Sequence, residues 1–329
     1  FNLPTPTILQ GNKYMDATLW TGNGSAQTIV NQGQFKSDLV WVKSRSNTFN
    51  NNLFNSISGV NKFLVSDTTA AEASVSGTLT AFNSNGFSVG SDIGLNFSGG
   101  TYVGWQWQAG QGSTSSNTAG TITTTTSVNT TAGFSVFTFT GTGASASIGH
   151  GLGVAPKFML FKRRDAINDW NVLTNATGSN QYGFLNLTTA FASAGETWTS
   201  TVINIGANFV NGGTYVCYAW AAIAGFSAFG SYTGNGSADG PFVYLGFRPE
   251  FVLIKNSAGG ATSSVQGWIM LDTSRSPFNQ TADALFANNS NASNSSSIYG
   301  IDILSNGFKT RGTDGAVNES SATYIYMAF

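Results

Sequence analysis

Residues 38–43 read Asp-Leu-Val-Trp-Val-Lys, a short apolar run that ends at a lysine, and the chain contains this pattern three times. The second copy is Lys-Phe-Met-Leu-Phe-Lys at 157–162, and the third is Glu-Phe-Val-Leu-Ile-Lys at 250–255. Continuous apolar runs of about four to eight residues are typical of β-strands buried on both faces. Pro156 and Pro249 precede two of the runs, at a position where a strand tolerates a residue without a backbone donor. The pattern therefore predicts three equivalent buried strands.

Two further landmarks lie at fixed places around each run. Upstream, an aromatic-Thr-Gly-x-Gly phrase begins at Trp20, Phe139 and Tyr232, and the lysine that ends the run follows 23 positions later in every copy. Downstream, a Thr-Tyr segment alternates apolar residues with small or polar ones, at 101–107, 214–220 and 323–329. Alternation with a period of two is typical of a half-buried strand. The constant spacing indicates an internal repeat.

A predicted hairpin distinguishes copies one and three from copy two. Copies one and three share Ser-Asn-Gly-Phe, at 84–87 and 305–308, whereas copy two lacks this sequence. Asn-Gly is the preferred pair for a two-residue type I′ turn. We therefore predict this hairpin in copies one and three only.

The landmarks divide the chain into segments, and they predict an all-β fold of three tandem antiparallel β-sandwich domains, since no stretch shows a helical apolar stripe. The predicted segments are an N-terminal lead-in at 1–12, repeat one at 13–109, a linker at 110–132, repeat two at 133–225 and repeat three at 226–329. The linker is rich in Thr, Ser and Gly, which predicts a flexible or extended segment. Repeats two and three have almost no linker, and we expect them to pack end to end.

Charge and cysteine content exclude several classes of function. Charged residues make up 9% of the chain and the formal net charge is -1, so a nucleic-acid footprint or an anionic-membrane footprint is absent. The apolar stretches are shorter than the ~18 residues of a transmembrane helix. The N-terminus has no basic signal-peptide region, and the missing Met at position 1 suggests a fragment. Cys217 is the single cysteine, so it is expected to be a buried apolar residue rather than half of a disulfide within the chain. A low-charge surface of hydroxyls and amides favours an extracellular location.

The sequence predicts no catalytic residue, no metal site and no cofactor. The single histidine, His150, lies in a Gly-His-Gly segment and is expected in a solvated turn. One histidine excludes a multi-histidine metal site. The 15 acidic residues do not recur as a pair between the copies, which argues against the two carboxylates of a glycosidase.

Recurring lysines and irregularly placed tryptophans are the candidate functional residues. The lysines are expected to be structural strand ends that keep a charge in solvent and discourage edge pairing; they are Lys43, Lys162 and Lys255. Trp170 and Trp268 lie in the less regular middle segments, so they are the candidates for a surface on which sugar rings stack.

Several segments together look like one known family. Residues 37–45, 79–87 and 102–105 of repeat one, with 232–236 and 267–272 of repeat three, resemble the repeat domain of tail-fibre and other virion structural proteins of marine tailed phages. The resemblance covers nearly the whole chain except the linker, although repeat two departs from it in its middle. It implies a virion location and a concanavalin-like or jelly-roll sandwich, and it carries no catalytic residue across.

We therefore expect a non-enzymatic virion structural protein, a segment of a phage tail fibre or appendage that presents or forms a glycan-binding region. Its expected partners are other virion proteins, a host-surface glycan and further copies of itself, with a homotrimer favoured and a filament as the other arrangement. Sandwiches of ~100 residues bury little surface alone, and few charges guard their edges. The alternatives are a self-assembling extracellular filament or bacterial surface adhesin, and a carbohydrate-binding module of a glycan-active enzyme.

Overall fold

A computed structural model describes residues 8–209, 211–258 and 267–329, and these residues are almost entirely strands and loops. Repeat one contains β1 Met15–Thr21, β2 Gln27–Val30, β3 Leu39–Ser44, β4 Asn52–Asn55, β5 Lys62–Val65, β6 Ala73–Ser74, β7 Leu79–Asn83, β8 Gly86–Val89, the short helix α1 Ile93–Asn96 and β9 Thr101–Trp107. The predicted linker and repeat two contain β10 Ser115–Asn117, β11 Thr124–Asn129, β12 Phe134–Thr140, β13 Ala146–Gly149, β14 Phe158–Arg163, β15 Asn171–Thr174, β16 Gln181–Phe184, β17 Ala192–Ser193, β18 Thr197–Trp198, β19 Val202–Ile205 and β20 Thr214–Trp220. Repeat three contains β21 Ala228–Thr233, β22 Phe242–Tyr244, β23 Phe251–Asn256, β24 Ile269–Asp272, β25 Leu285–Phe286, β26 Ile301–Leu304, β27 Gly307–Thr310 and β28 Thr323–Ala328, and 3₁₀ turns lie at Gly11–Lys13 and Ser297–Tyr299.

The same strand order occurs three times. The large sheets run β1-β9-β3-β4-β5-β6, then β12-β20-β14-β15-β16-β17 within an eight-stranded sheet, then β21-β28-β23-β24-β25. Each repeat also has a three-stranded sheet, with the orders β2-β8-β7, β13-β19-β18 and β22-β27-β26. The registered pairs of strands are antiparallel in all of these sheets. The predicted all-β fold with antiparallel sheets is confirmed.

The predicted buried strands are β3, β14 and β23, in the interior of the three large sheets. Each pairs on one side with the Thr-Tyr strand of its own repeat and on the other with the next strand along the chain. All six residues of β3 and of β23 are buried. Both faces of these strands meet apolar layers, which explains why their sequences are apolar without alternation.

A cluster of aromatic side chains is shared by the three repeats. Trp107, Trp220 and Phe329 hold equivalent places at the ends of their Thr-Tyr strands, and the ring of Trp107 lies 5.8 Å from each of the other two. The apolar cluster around them takes residues from all three large sheets. The repeats therefore surround one core, an arrangement that we call the ring. The expected end-to-end packing is wrong because the large sheets are apolar on their second face too.

The predicted linker is part of a sheet. β10 pairs with β11, and β11 pairs with β12, so this segment widens the large sheet of repeat two. The buried carboxylate of Asp38 fixes its start by accepting backbone N–H bonds from Ala109 at 2.7 Å, Gln111 at 2.7 Å and Gly112 at 2.8 Å. Threonine has a high strand propensity, and the edge of β12 provides a strand with which this Thr-rich segment can pair. The prediction of a flexible linker is therefore wrong.

The predicted hairpins are present, but their turns differ from the expected type. In repeat one, Asn83 pairs with Gly86, so the loop is Ser84–Asn85 and the glycine begins the next strand. Gly86 has a φ of 145°, and a Cβ there would lie 2.1 Å from the carbonyl oxygen of Ile29 on the neighbouring strand. The glycine is required by this close approach, not by a type I′ turn.

Candidate functional site

The three recurring lysines are buried within the ring. Lys43, Lys162 and Lys255 occupy the fifth positions of β3, β14 and β23, and none has an exposed surface. The prediction that they keep their charge in solvent is wrong, because the neighbouring repeat covers each strand end.

Each lysine joins its repeat to the preceding one around the ring. The Nζ atoms donate to backbone carbonyls there, from Lys43 to Ser290 at 3.0 Å, from Lys162 to Thr69 at 2.9 Å and from Lys255 to Thr188 at 3.1 Å. A backbone N–H···O=C hydrogen bond lies beside each of these contacts. The N–H groups of Ser293, Glu72 and Phe191 donate to the carbonyls of Arg45, Arg164 and Ser257, respectively. Three equivalent junctions therefore close the ring.

Burial changes the acid–base behaviour of these lysines. Loss of solvation lowers the pKa of Lys43, Lys162 and Lys255 from 10.5 to about 8. The charges of Asp67 and Asp169 oppose this shift in the first two cases. Backbone carbonyls take most of the hydrogen bonds, which is consistent with a structural role.

The two tryptophans predicted to face a glycan are buried at the same junctions. The indole Nε1 of Trp170 donates to the carbonyl of Val65 at 2.8 Å, and that of Trp268 donates to the carbonyl of Phe184 at 2.9 Å. In repeat one, Asn51 takes the equivalent place and donates to the carbonyl of Phe286 at 3.1 Å. The predicted glycan-facing role of Trp170 and Trp268 is wrong, since a sugar ring cannot reach an indole enclosed between two repeats.

His150 is buried and not in a solvated turn. The backbone N–H of Leu152 donates to its Nδ1 at 3.2 Å, and its Nε2 lies 3.3 Å from the carbonyl oxygen of Thr199. These partners suit the neutral ring with its proton on Nε2, and burial lowers the pKa of His150. Cys217 is buried as expected, and burial raises the pKa of its thiol.

Repeat two carries an open cavity on the side of its large sheet that faces away from the shared core. This repeat-two cleft has a volume of about 460 Å³. Its lining combines five aromatic rings with three side-chain amides and one carboxylate: Phe161, Tyr182, Phe184, Phe209, Tyr215, Asn168, Asn171, Asn208, Glu196, Leu173 and Gly195. The ring of Tyr182 is 37% exposed and lies 6.0 Å from the ring of Phe184.

Substitutions at equivalent positions explain why the interior of this repeat is open. Glu196 immediately precedes β18, and the equivalent place in repeat three is held by Ile301, the first residue of β26, which is fully buried in its core. The second place is defined by the backbone carbonyl that accepts a hydrogen bond from the last glycine of the aromatic-Thr-Gly-x-Gly phrase. Asn208 lies one residue before that carbonyl in repeat two, whereas the other repeats bury Leu95 and Val317 at the equivalent position. Polar residues in these two places leave the interior of repeat two uncovered.

One feature of the sequence is connected with this cleft, although it does not locate it. The missing Asn-Gly hairpin of repeat two lies in the segment that carries Glu196 and leads to Asn208. The missing hairpin alone does not indicate a cavity, because the cavity depends on which residues lie near Glu196 and Asn208 in the folded chain.

The part of the chain that the structure describes offers neither a cluster of metal ligands nor a membrane-spanning helix. No group of three histidine, cysteine or acidic residues in it is placed to hold a metal ion. Its helices are too short to cross a membrane.

Comparison with known proteins gives one match. A family model described as a domain of unknown function, DUF7483, matches residues 10–329. Neither a curated protein nor a solved structure matches the chain. The single match spans all three repeats, so the unit that this family describes corresponds to the whole ring.

Proposed function

We propose that this chain, which belongs to the DUF7483 family of domains of unknown function, is a non-enzymatic structural protein of a virion. In this proposal it forms part of a phage tail fibre or a similar appendage, and its repeat-two cleft binds a carbohydrate of the host surface. The observation that carries the binding role is the cleft itself, which two sister repeats of the same fold fill with apolar side chains.

We interpret each repeat as a two-layer antiparallel β-sandwich of the jelly-roll or concanavalin-like type. A separate apolar cluster draws on the large sheet and the three-stranded sheet of each repeat. Facing sheets with a shared apolar interior are the basis of a sandwich. Three such units in one ring give a compact, low-charge body suited to a particle surface.

Carbohydrate is the ligand class that the cleft lining favours. Sugar rings offer apolar faces that stack on aromatic side chains and hydroxyls that bond to amides and carboxylates. Tyr182 and Phe184 supply the rings, while Asn168, Asn171 and Asn208 supply amides. Ligand sites are commonly apolar clefts with a few convergent polar groups.

A binding role without hydrolysis follows from the number of carboxylates. Most glycosidases use two carboxyl groups on opposite sides of the scissile bond. Glu196 is the one carboxylate in the lining of the repeat-two cleft. Release of reducing ends from a bound glycan would contradict the non-enzymatic proposal.

Replacing Tyr182 with alanine is expected to weaken glycan binding about tenfold or more, because it removes the exposed stacking surface. A ligand is first selected on an array of bacterial surface glycans, and its affinity is then measured by titration calorimetry. Phe278→Ala is the control, since Phe278 is an 83% exposed aromatic residue that lies in repeat three. Equal affinities for Tyr182→Ala and the unchanged protein would contradict a site in this cleft.

The virion location is tested separately from binding. Antibodies against the purified chain are expected to label the tails or fibres of phage particles in electron micrographs of the source culture. Labelling of cell surfaces or of free filaments instead would favour the adhesin or filament alternative. Cleavage of a glycan by a longer protein that contains this chain would favour the carbohydrate-binding-module alternative.

Self-association remains a prediction, and we propose the edge strand β22 as the surface for it. The ring buries the second faces of the large sheets, whereas β22 is an edge strand that exposes Phe242 at 45% and Tyr244 at 55%. We expect light scattering at micromolar concentration to give a mass above the 34.4 kDa of one chain. Tyr244→Lys should reduce that mass, because a lysine on an edge discourages strand pairing. A monomer for the unchanged protein would contradict the homotrimer and the filament alike.

A further inference from the structure

Glu196 stands between two cavities of repeat two. Together with Gly195 it lines the repeat-two cleft, and both residues also line a second cavity of about 530 Å³. The second cavity is lined on its other sides by small polar side chains and the edge of β13, including Thr121, Ser145, Ser147 and Asn204. A Cβ on Gly195 would meet no atom within 4 Å, so the space beside Gly195 is open.

The carboxylate of Glu196 has no cationic partner among the described residues. The ion pairs of the described chain do not include it, and the lining of both cavities contains no lysine, arginine or histidine. The hydrogen bond that fixes this residue, from the Asn180 side chain at 3.2 Å, goes to its backbone carbonyl. A half-buried carboxylate without a partner attracts a cation and repels an acidic ligand.

We infer that the cleft takes an oligosaccharide with a free amino group, an amino sugar in its ammonium form that sits against Glu196. The inference rests on the proposed carbohydrate-binding function and adds the class of sugar. The ammonium forms a charge-assisted hydrogen bond with the carboxylate, and the nearby face of Tyr182 adds a cation–π contact. An N-acetyl group removes the charge and with it both contacts.

The second cavity indicates that the ligand is longer than one sugar unit. Each cavity falls within the range of about 300–1,000 Å³ that encloses a drug-sized ligand, and both are lined by Gly195 and Glu196. The hydroxyls and the amide of the second cavity suit the hydroxyls of a neighbouring unit. The affinity is therefore expected to rise with chain length until both cavities are occupied.

The test uses β-1,4-linked glucosamine oligomers of one to six units and the N-acetylated oligomers of the same lengths. We expect the free-amine series to bind about tenfold or more tightly, with an affinity that falls as salt is added. Glu196→Gln should remove the difference between the two series by lowering the affinity for the free-amine series. Glu319→Gln, a matched change in repeat three, should preserve the difference.

The outcomes separate this inference from the proposed function. Equal binding of both series, unaffected by Glu196→Gln but lost with Tyr182→Ala, would overturn the amino-sugar inference and retain the glycan site. Binding of neither series, with an array ligand that depends on Tyr182, would also overturn it. Failure of every glycan on the array would overturn the proposed function as well.

Discussion

Replacing Trp107 with alanine is expected to lower the free energy of unfolding by about 3–5 kcal/mol, the range for a buried aromatic truncated to alanine. Trp107 is 1% exposed, and its ring contacts those of Trp220, Phe251 and Phe329, which belong to the other two repeats. Because all three repeats share this core, the loss should destabilise them together. Urea unfolding followed by circular dichroism measures both the free energy and the number of transitions.

Two further variants control for the size and place of this change. Trp107→Phe installs the ring that repeat three carries at the equivalent Phe329, and it also removes an indole Nε1 that is buried without a hydrogen-bond partner among the described residues. Its cost should be less than half that of the alanine variant. Phe278→Ala, at an 83% exposed site, should change stability by about 0.5 kcal/mol or less. Unfolding of repeat one alone in Trp107→Ala would contradict a shared core.

Raising the pH from about 7.5 to about 9.5 is expected to stabilise the protein, by roughly 1–2 kcal/mol for each buried lysine. The unfolded chain holds these protons up to its ordinary lysine pKa of 10.5, whereas the folded protein releases them at a pKa of about 8. Between these values the unfolded state binds more protons, so the free energy of unfolding rises with pH. The penalty for burying the charged lysines is present in full below pH 8.

Other groups limit the range of this measurement. Burial raises the pKa of Cys217 and of six tyrosines, Tyr218 among them, so the unfolded chain loses these protons first and the effect reverses sign at higher pH. Below the range in which tyrosine ionises, the effect of one thiol opposes that of three lysines. The free energy of unfolding therefore still rises with pH up to about pH 9.5. Urea unfolding at a series of pH values gives this slope directly.

Single lysine variants test whether the rise in the free energy of unfolding with pH comes from the buried lysines at the junctions between repeats. Lys255→Met should remove about a third of the rise in stability, because its ammonium is replaced by a neutral side chain of similar shape. Lys62→Met is the control, since Lys62 is exposed and its loss should leave the slope unchanged. A flat profile in the unchanged protein would show that water reaches the buried lysines.

The sequence was informative about the strands and uninformative about their neighbours. The spacing from Trp20 to Lys43 recurs because hydrogen-bond register ties these strands to one another within each repeat. The place of Trp170 could not be derived in this way, since the carbonyl that it meets belongs to Val65, more than a hundred residues earlier. The cleft was missed for the same reason: Glu196 and Asn208 read as ordinary loop residues until Ile301 and Val317 are seen in the equivalent places.

The sequence by itself determined the all-β class, the three copies, the apolar strands and the absence of a disulfide within the chain. These properties follow from local periodicity and residue counts, which are fixed before any long-range contact forms. Only the tertiary structure decided that the copies close into a ring around Trp107, that Lys43 and its equivalents are buried, and that repeat two is open. The sequence of an apolar strand indicates that both of its faces are buried. It does not indicate which surface covers them, because any apolar surface could do so. Which surface covers each face is therefore decided by the packing of the whole chain.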